Sequence, residues 1–374
     1  MNNGFRSMVA ILVLASAMLA CSSSVEVVGT PTTAPEPVNT STDLLPHSFY
    51  YVAAVEPNVS QIFRMERDGR TVTQLTSEPM SVYDYDVSLR DGSVVYVANN
   101  QLILIHADAS NRRVLVEGRV IDPNNPFENR LHDPVFSPDG GTIAYTYHGV
   151  NLYDVATGVS STMLRDELYR PQTYSPDGTK LLMTVDVPNS DATHDVLYDL
   201  ATNSVIGFNS ADGSFFCCGR EEWTQDGMSL YVANPTMGML NSGLWRVDAA
   251  SGTITTLLPS DAGNGKFNLA DEPYLASDGQ LYYFYLNGSD AEGYSDKAPL
   301  QMVHSAPDGV TGRTVLRPET FESLSEALWA SDASLVIVSK VSDAGGMLEL
   351  YYTDGAKRMI SLVASSGQQL KWGP

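Results

Sequence analysis

The sequence runs to 374 residues, 43% of them hydrophobic, enough apolar material to bury a sizeable core and to exclude a globally disordered chain. Its 22 Lys and Arg against 44 Asp and Glu give a formal charge of -22, the wrong sign for holding nucleic-acid phosphates or an anionic membrane surface. Length alone allows about two or three domains, but a repeat fold built of strands can absorb this many residues as one.

The first twenty residues read as an export signal. Arg6 is the only positive side chain of a short leading region, and Met8 to Ala20 is a nearly unbroken apolar run. That run is too short to span a bilayer core, which needs roughly 20 apolar residues. It ends in Met18-Leu19-Ala20-Cys21, which resembles the lipobox of bacterial lipoproteins, with Met18 and Leu19 in place of the usual Leu and Ala or Ser. The resemblance implies a signal peptide over 1–20, a mature chain starting at Cys21 and acyl chains on its thiol. An ordinary signal peptide with an incidental cysteine is the alternative. Residues 21–46, rich in Ser, Thr, Pro and Val and without apolar periodicity, cannot build a core and read as an extended tether. The folded part is expected over 47–374.

Strand patterns begin at Ser48–Val55 (SFYYVAAV), followed by Gln61–Gly69 and Thr71–Thr76. A phrase then recurs: an aromatic or apolar residue, a small residue, Asp-Gly, and an alternating apolar strand. Its copies start at Ser88 (SLRDGSVVYVAN), Phe136 (FSPDGGTIAYTY), Tyr174 (YSPDGTKLLMTV), Trp223 (WTQDGMSLYVAN), Leu275 (LASDGQLYYFYL) and Trp329 (WASDASLVIVSK). The turn glycines Gly92, Gly140, Gly178, Gly227 and Gly279, with Ala333 replacing Gly in the last copy, lie between 38 and 54 residues apart. Those separations bracket the period of a propeller blade. In each unit Pro favours the first turn position and Gly tolerates positive φ. Third strands follow, as in Asn151–Gly158, Val196–Asn203 and Leu244–Gly252, and a fourth such as that from Thr253 closes the unit. Four antiparallel strands per repeat match one blade.

These residues resemble the TolB-like, WD40-like propeller repeat, most closely at Phe136 and Tyr174. The resemblance covers roughly Phe49 to the C-terminus and implies an all-β propeller serving many possible roles. The chain enters at Ser48 with a second, third and fourth strand but no first. Its end, GQQLKWGP, reads as a first strand with nothing after it. The last strand is therefore expected to complete the blade begun at Ser48, leaving no open edge. Six internal repeats and the split one make seven blades; six blades is the alternative.

In a propeller the residues just before each phrase converge on one mouth of the central channel. Here they are Arg130, His132 and Asp133; Tyr169 and Arg170; Arg220, Glu221 and Glu222; Asp271 and Glu272; and Glu326. They read either as a ligand or partner rim or as charges satisfied by each other and by water. Adjacent residues on a strand point to opposite faces, so Glu221-Glu222 and Asp271-Glu272 are each expected to offer one carboxylate to the channel. Cys217 and Cys218 precede an innermost strand; they read as a vicinal disulfide or as two reduced thiols, and adjacency rules out ordinary disulfide geometry. The acidic loop with Asp290, Glu292 and Asp296 could hold calcium but lacks the order of an EF-hand, and a solvated hairpin tip is the other account. The six histidines show no paired spacing, so no metal or other cofactor is expected. No G-x-S-x-G elbow, P-loop or dinucleotide fingerprint is present, and no catalytic residue is assigned. The resulting expectation is a monomeric, membrane-tethered envelope lipoprotein, a non-catalytic propeller binding a protein, peptide or glycan and no nucleic acid. A carbohydrate lyase or glycosidase working at the channel mouth is the alternative.

Overall fold

The computed structural model describes residues 43–374, apart from 123, 125–128, 189–192, 211–219, 235–241, 290–297, 343–344 and 364–366. The strands form seven separate sheets, each a blade with four antiparallel strands at its heart. Blade 1 contains Phe49–Glu56, Val59–Met65 and Val72–Gln74, and its innermost strand is Gln368–Trp372 from the end of the chain. Phe49 pairs with Trp372, Tyr50 with Lys371 and Val52 with Gln368. The innermost strands of blades 2 to 7 are Tyr85–Val87, His132–Phe136, Tyr169–Tyr174, Arg220–Trp223, Lys266–Leu275 and Leu324–Trp329. The ring thus has seven blades, and the expected closure between first and last is present.

The middle strands are buried on both faces, because each blade is packed between two others. Val94–Ala98 shows the consequence, with all of its residues buried. Val94, Tyr96 and Ala98 pack toward blade 1 with Tyr50, Val52 and Ile62. Val95 and Val97 pack toward blade 3 with Phe136, Ile143 and Tyr145. Strand alternation therefore sorts side chains between two neighbours rather than between core and water. The same holds around the ring: apolar burial is divided into seven clusters, each shared by two successive blades. The cluster joining blade 7 to blade 1 includes Phe49, Tyr51, Ile337, Leu350 and Leu370. Leu45 is buried in it as well, and the amides of Leu44 and Leu45 donate to the Arg67 carbonyl, so packing extends N-terminal to residue 47.

The repeated phrase has one physical job. In blade 3 the Ser137 hydroxyl donates to Asp139 Oδ1 at 2.6 Å, and that oxygen accepts the Gly141 amide at 2.9 Å. These hydrogen bonds, the Ser137 one foremost, hold the Asp139 carboxyl below its ordinary range. Gly140 closes the turn at φ +68, where a Cβ would lie 2.8 Å from Ser88 Oγ of blade 2. The turn must therefore be both left-handed and slim. Ser175 and Asp177 repeat the hydroxyl contact in blade 4, and Thr224 with Asp226 repeats it in blade 5, where Thr replaces Ser. Ala333 adopts φ 51 in the glycine position of blade 7. Two blades carry a fifth short strand outside the expected four. Asn209–Ser210 runs parallel to the edge of blade 5, and Asp261–Gly263 folds onto the innermost strand of blade 6. Among the described residues no helix is long and apolar enough to cross a membrane.

Candidate functional site

Two innermost strands are irregular just before the repeated phrase. In blade 3 the pairing slips between His132 and Val135, and Asp133 adopts φ 52 immediately before Pro134. In blade 6 it slips between Asp271 and Tyr274, and Glu272 adopts φ 49 immediately before Pro273. Left-handed backbone is uncommon for a residue with a side chain, and proline restricts its predecessor further. Such positions cost on the order of 1–3 kcal/mol each and cluster where a side chain has a task. Here each bulge re-aims a carboxylate into the channel. Gln369, at φ 55, is a third such residue on the closing strand.

Among the described residues, cavities open between the innermost strands. One, of about 310 Å³, is lined by Asp84, Asp133, Glu326, Gln369 and Lys371, among others. The second, of about 240 Å³, lies among the innermost strands of blades 5, 6, 7 and 1 and is lined by Arg220, Glu221, Glu222, Glu272, Tyr274, Trp329 and Trp372, among others. Consecutive residues divide between the two: Glu326 and Lys371 line the first, Ala327 and Trp372 the second.

In the first cavity Asp84 is pushed above the ordinary carboxylate range by burial and by the nearby Asp133. Asp133 itself is held by His132 Nδ1 at 2.6 Å. Lys371 pairs with Asp86 at 2.8 Å, and Glu326 accepts the Leu370 amide at 2.6 Å. In the second, Arg220 spans three blades: its Nη2 donates to the Ser325 carbonyl of blade 7 at 2.5 Å, and its Nε lies 3.4 Å from Glu272 Oε1 of blade 6. That oxygen has no hydrogen-bond donor among the described residues. Burial, then the Asp271 carboxylate, pushes Glu272 well above its usual range. Glu222 keeps an exposed surface and accepts no hydrogen bond among the described residues, and desolvation by the strands around it pushes it up to about 7. Asp271, fully enclosed, is pushed by burial up to about 6 despite Arg220. Glu221 is raised well above its range by burial and by Asp195 of blade 4, which also accepts the Thr184 hydroxyl at 2.9 Å. A carboxyl–carboxyl hydrogen bond requires a proton, so this pair carries one.

The expected rim residues are therefore only partly brought together. Asp133 and Glu326 share the first cavity; Arg220, Glu221, Glu222 and Glu272 share the second. Arg130, His132, Tyr169, Arg170 and Asp271 line neither of these two. Arg130 stands over the Tyr83 ring at 5.1 Å, and Arg170 donates to Asp186 at 2.8 Å. The expectation of one channel-facing carboxylate per pair fits Asp271-Glu272; at Glu221-Glu222 both residues line the cavity. Sequence reasoning missed Asp84, Asp86, Gln369, Lys371, Tyr274, Trp329 and Trp372. Asp84 and Asp86 precede the weak copy at Ser88, and Gln369 and Lys371 belong to the closing strand, so position relative to the repeat could have found them. Cys21, Cys217, Cys218, Asp290, Glu292 and Asp296 lie outside the described residues. Among the described residues no group of three or more His, Cys, Asp or Glu could hold a metal ion.

Comparison with solved structures places the architecture among known ones. An oligogalacturonate lyase in complex with manganese has a TM-score of 0.54 at 13% identity, covering 84% of each chain. A puromycin hydrolase variant has a TM-score of 0.55 at 16% identity, over 87% of this chain and 53% of its own. TolB from Acinetobacter baumannii aligns over 87% of this chain and 83% of its own at 15% identity, with a TM-score of 0.47. The chain is a seven-bladed β-propeller. No family profile matches the sequence, and no curated protein does.

The raised carboxyls make stability depend on pH in a direction that can be worked out. The folded propeller holds the Asp271 proton up to about 6, against 3.8 for a free aspartate. Its contribution is fully present below pH 3.8 and is lost as pH rises through about 6. Asp271→Asn keeps an oxygen for the Glu272 amide, which Asp271 Oδ1 accepts at 3.0 Å, and removes the titration. Between pH 4 and pH 8 the variant should gain on the order of 2–3 kcal/mol relative to the parent, read from urea midpoints at the two pH values. Parallel curves for both proteins would refute the burial of an uncompensated acid here.

Proposed function

We propose that the chain is an exported lipoprotein, anchored to a membrane through acyl chains on Cys21, whose propeller binds a protein, peptide or glycan at its channel face without turning it over. The tether over 21–46 and an extracytoplasmic location belong to the same reading. What carries it is the gathering of Asp84, Asp133, Glu326, Gln369 and Lys371, from four innermost strands, around one cavity of about 310 Å³. Two of these, Asp133 and Gln369, are held there in left-handed backbone. The test is thermal unfolding of the full chain against metals, oligosaccharides and peptides, with cross-linking from the rim for a protein partner. A ligand at 100 times its dissociation constant adds about 2.7 kcal/mol, enough to register. No shift and no cross-linked partner would remove the proposal.

A carbohydrate lyase or glycosidase is the second reading. It rests on the carboxyl groups of Glu222 and Asp271, pushed to about 7 and 6, the range of a general acid. Of the residues it would use, Arg220, Glu221 and Glu222 line the second cavity, Asp271 lines neither, and His132 and Arg170 are engaged with Asp133 and Asp186. The excess of carboxylates around Arg220 would also repel an acidic sugar, so a substrate would have to be neutral. Turnover of a polysaccharide that disappears in His132→Ala or Arg220→Ala would establish this reading and displace the first.

A further inference from the structure

The second cavity is bordered by side chains that cross between blades. Arg220 reaches from blade 5 to Glu272 and the Ser325 carbonyl. Gln225 Nε2 donates to Tyr274 OH and to the Ser331 carbonyl, both at 3.2 Å, and Tyr274 OH donates to the same carbonyl at 3.2 Å. Aromatic rings form part of the cavity wall. Tyr274 and Trp329 lie nearly parallel, with centroids 6.5 Å apart at 12°. The indole nitrogens are already occupied: Trp329 Nε1 donates to the Glu272 carbonyl at 2.9 Å, and Trp372 Nε1 to the Trp329 carbonyl at 2.7 Å. The indoles are thereby fixed, and what they can still offer a ligand is π surface.

Charge decides which ligand fits. Glu221, Asp271, Glu272 and Glu326 all act on Arg220, so that carboxyl groups outnumber cations here among the described residues. Lys371 is committed to Asp86, and Glu221 to Asp195. One acceptor is left over: Glu222 has no hydrogen bond among the described residues, whereas Glu272 Oε1, without a hydrogen-bond donor, faces Arg220 Nε at 3.4 Å. Aromatic faces beside an unpaired carboxylate are complementary to an organic cation, since the ring quadrupole and the carboxylate attract the same sign. A volume of about 240 Å³ falls below the ~300 Å³ at which drug-sized pockets begin, so it suits one side-chain-sized group and not an oligosaccharide.

We propose that this cavity takes an organic cation, an alkylammonium or guanidinium group, seated against Tyr274, Trp329 and Trp372 and neutralised by Glu222. The inference rests on the binding reading above and narrows its ligand. The group arrives either on a small amine or on a Lys or Arg side chain of a peptide. Binding displaces the proton that Glu222 holds near neutrality, so it strengthens as pH rises.

Titration calorimetry on the full chain tests this with acetyl-Gly-Lys-Gly-amide, its norleucine counterpart, n-butylammonium and cellobiose. The lysine peptide should bind at pH 8 and about tenfold more weakly at pH 6, as expected for a competing proton with a pKa near 7. Its heat should vary with the ionisation heat of the buffer, reporting proton release. The norleucine peptide and cellobiose should not bind. Glu222→Gln should weaken the lysine peptide at least tenfold and erase the buffer dependence, with Glu222→Asp restoring part of both. Butylammonium binding as well as the peptide assigns the site to free amines; binding of the peptide alone assigns it to side chains. Equal binding of the norleucine peptide, preference for cellobiose, or indifference to Glu222→Gln would overturn the proposal. If neither cation binds while a partner still cross-links at the rim, the cation site fails and the binding reading stands. If both are absent, the binding reading fails with it.

Discussion

Deleting Gln368–Pro374 should abolish cooperative folding of the propeller. The strand at stake ties three blades together. Within blade 1 it pairs with Phe49–Glu56, and the Gly373 amide donates to Ser48 at 2.8 Å. Toward blade 7, Trp372 Nε1 reaches the Trp329 carbonyl at 2.7 Å and the Leu370 amide reaches Glu326 at 2.6 Å. Toward blade 2, Tyr85 OH donates to the Gln369 carbonyl at 2.5 Å and Lys371 pairs with Asp86 at 2.8 Å. Leu370 is buried among Phe49, Ile337 and Leu350, and Trp372 packs against the same cluster. Losing a buried Leu costs about 2–5 kcal/mol and a large aromatic about 3–5, before any hydrogen bond is counted. The combined loss reaches the ~5–15 kcal/mol that stabilises a typical domain. It also leaves blade 1 with an open edge. The truncated chain should show no sharp thermal transition by circular dichroism and should bind a hydrophobic dye. Adding a peptide spanning residues 367–374 should restore part of the transition. A truncated chain melting within a few degrees of the parent would show that the ring does not depend on this closure.

The second large effect concerns a charge held between blades 6 and 7. Lys340 Nζ lies 2.9 Å from Glu349 Oε2 and donates to Tyr351 OH at 2.8 Å, while that hydroxyl donates to Glu349 at 2.7 Å. Lys340 pairs across the strands with Met347, which places Glu349 on its diagonal. The ammonium also stands 5.2 Å from the Phe321 ring of blade 6 and 5.1 Å from that of Tyr351. Glu349 is buried, at 5% exposure. Glu349→Ala therefore strands a largely enclosed ammonium, and the expected cost is about 3–5 kcal/mol in urea unfolding. Replacing the whole group by Lys340→Met, Glu349→Leu and Tyr351→Phe removes every polar partner together. That triple variant should lie within about 1 kcal/mol of the parent or above it. A single-variant cost under 1 kcal/mol would mean that water already reaches Lys340, and the network would count as a surface pair.

Much of the fold was legible because its repeat is local. Phe136 to Tyr147 carries a turn whose hydroxyl, carboxylate and glycine act within five residues of one another, so the sequence order is also the spatial order. The closing strand was legible for a different reason. Two fragments, each lacking what the other has, imply one blade. The channel site was legible only in part. The phrase located Arg220, Glu222 and Glu272 just ahead of its copies, but not which of them would share a cavity. Glu272 reaches the channel through a bulge and a left-handed residue before proline, which alternation does not anticipate. The aromatic wall was missed because Tyr274, Trp329 and Trp372 read as ordinary strand residues. They meet Arg220 and Glu222 only after the ring brings together residues from about fifty to more than a hundred positions apart, as the Gln225 contacts to Tyr274 and Ser331 show.

The sequence by itself determined the propeller repeat, the turn chemistry and the joining of the two ends, because each depends on short-range contacts or on complementary fragments, while seven blades over six was decided by the structure. Tertiary structure decided which carboxylates are neutralised and which are left for a ligand. Asp86 finds Lys371 and Glu221 finds Asp195, whereas Glu222 finds no hydrogen-bond donor among the described residues. The reason is electrostatic. A charge is weakened or exposed by what stands within a few ångströms of it, and in a propeller those neighbours come from other blades.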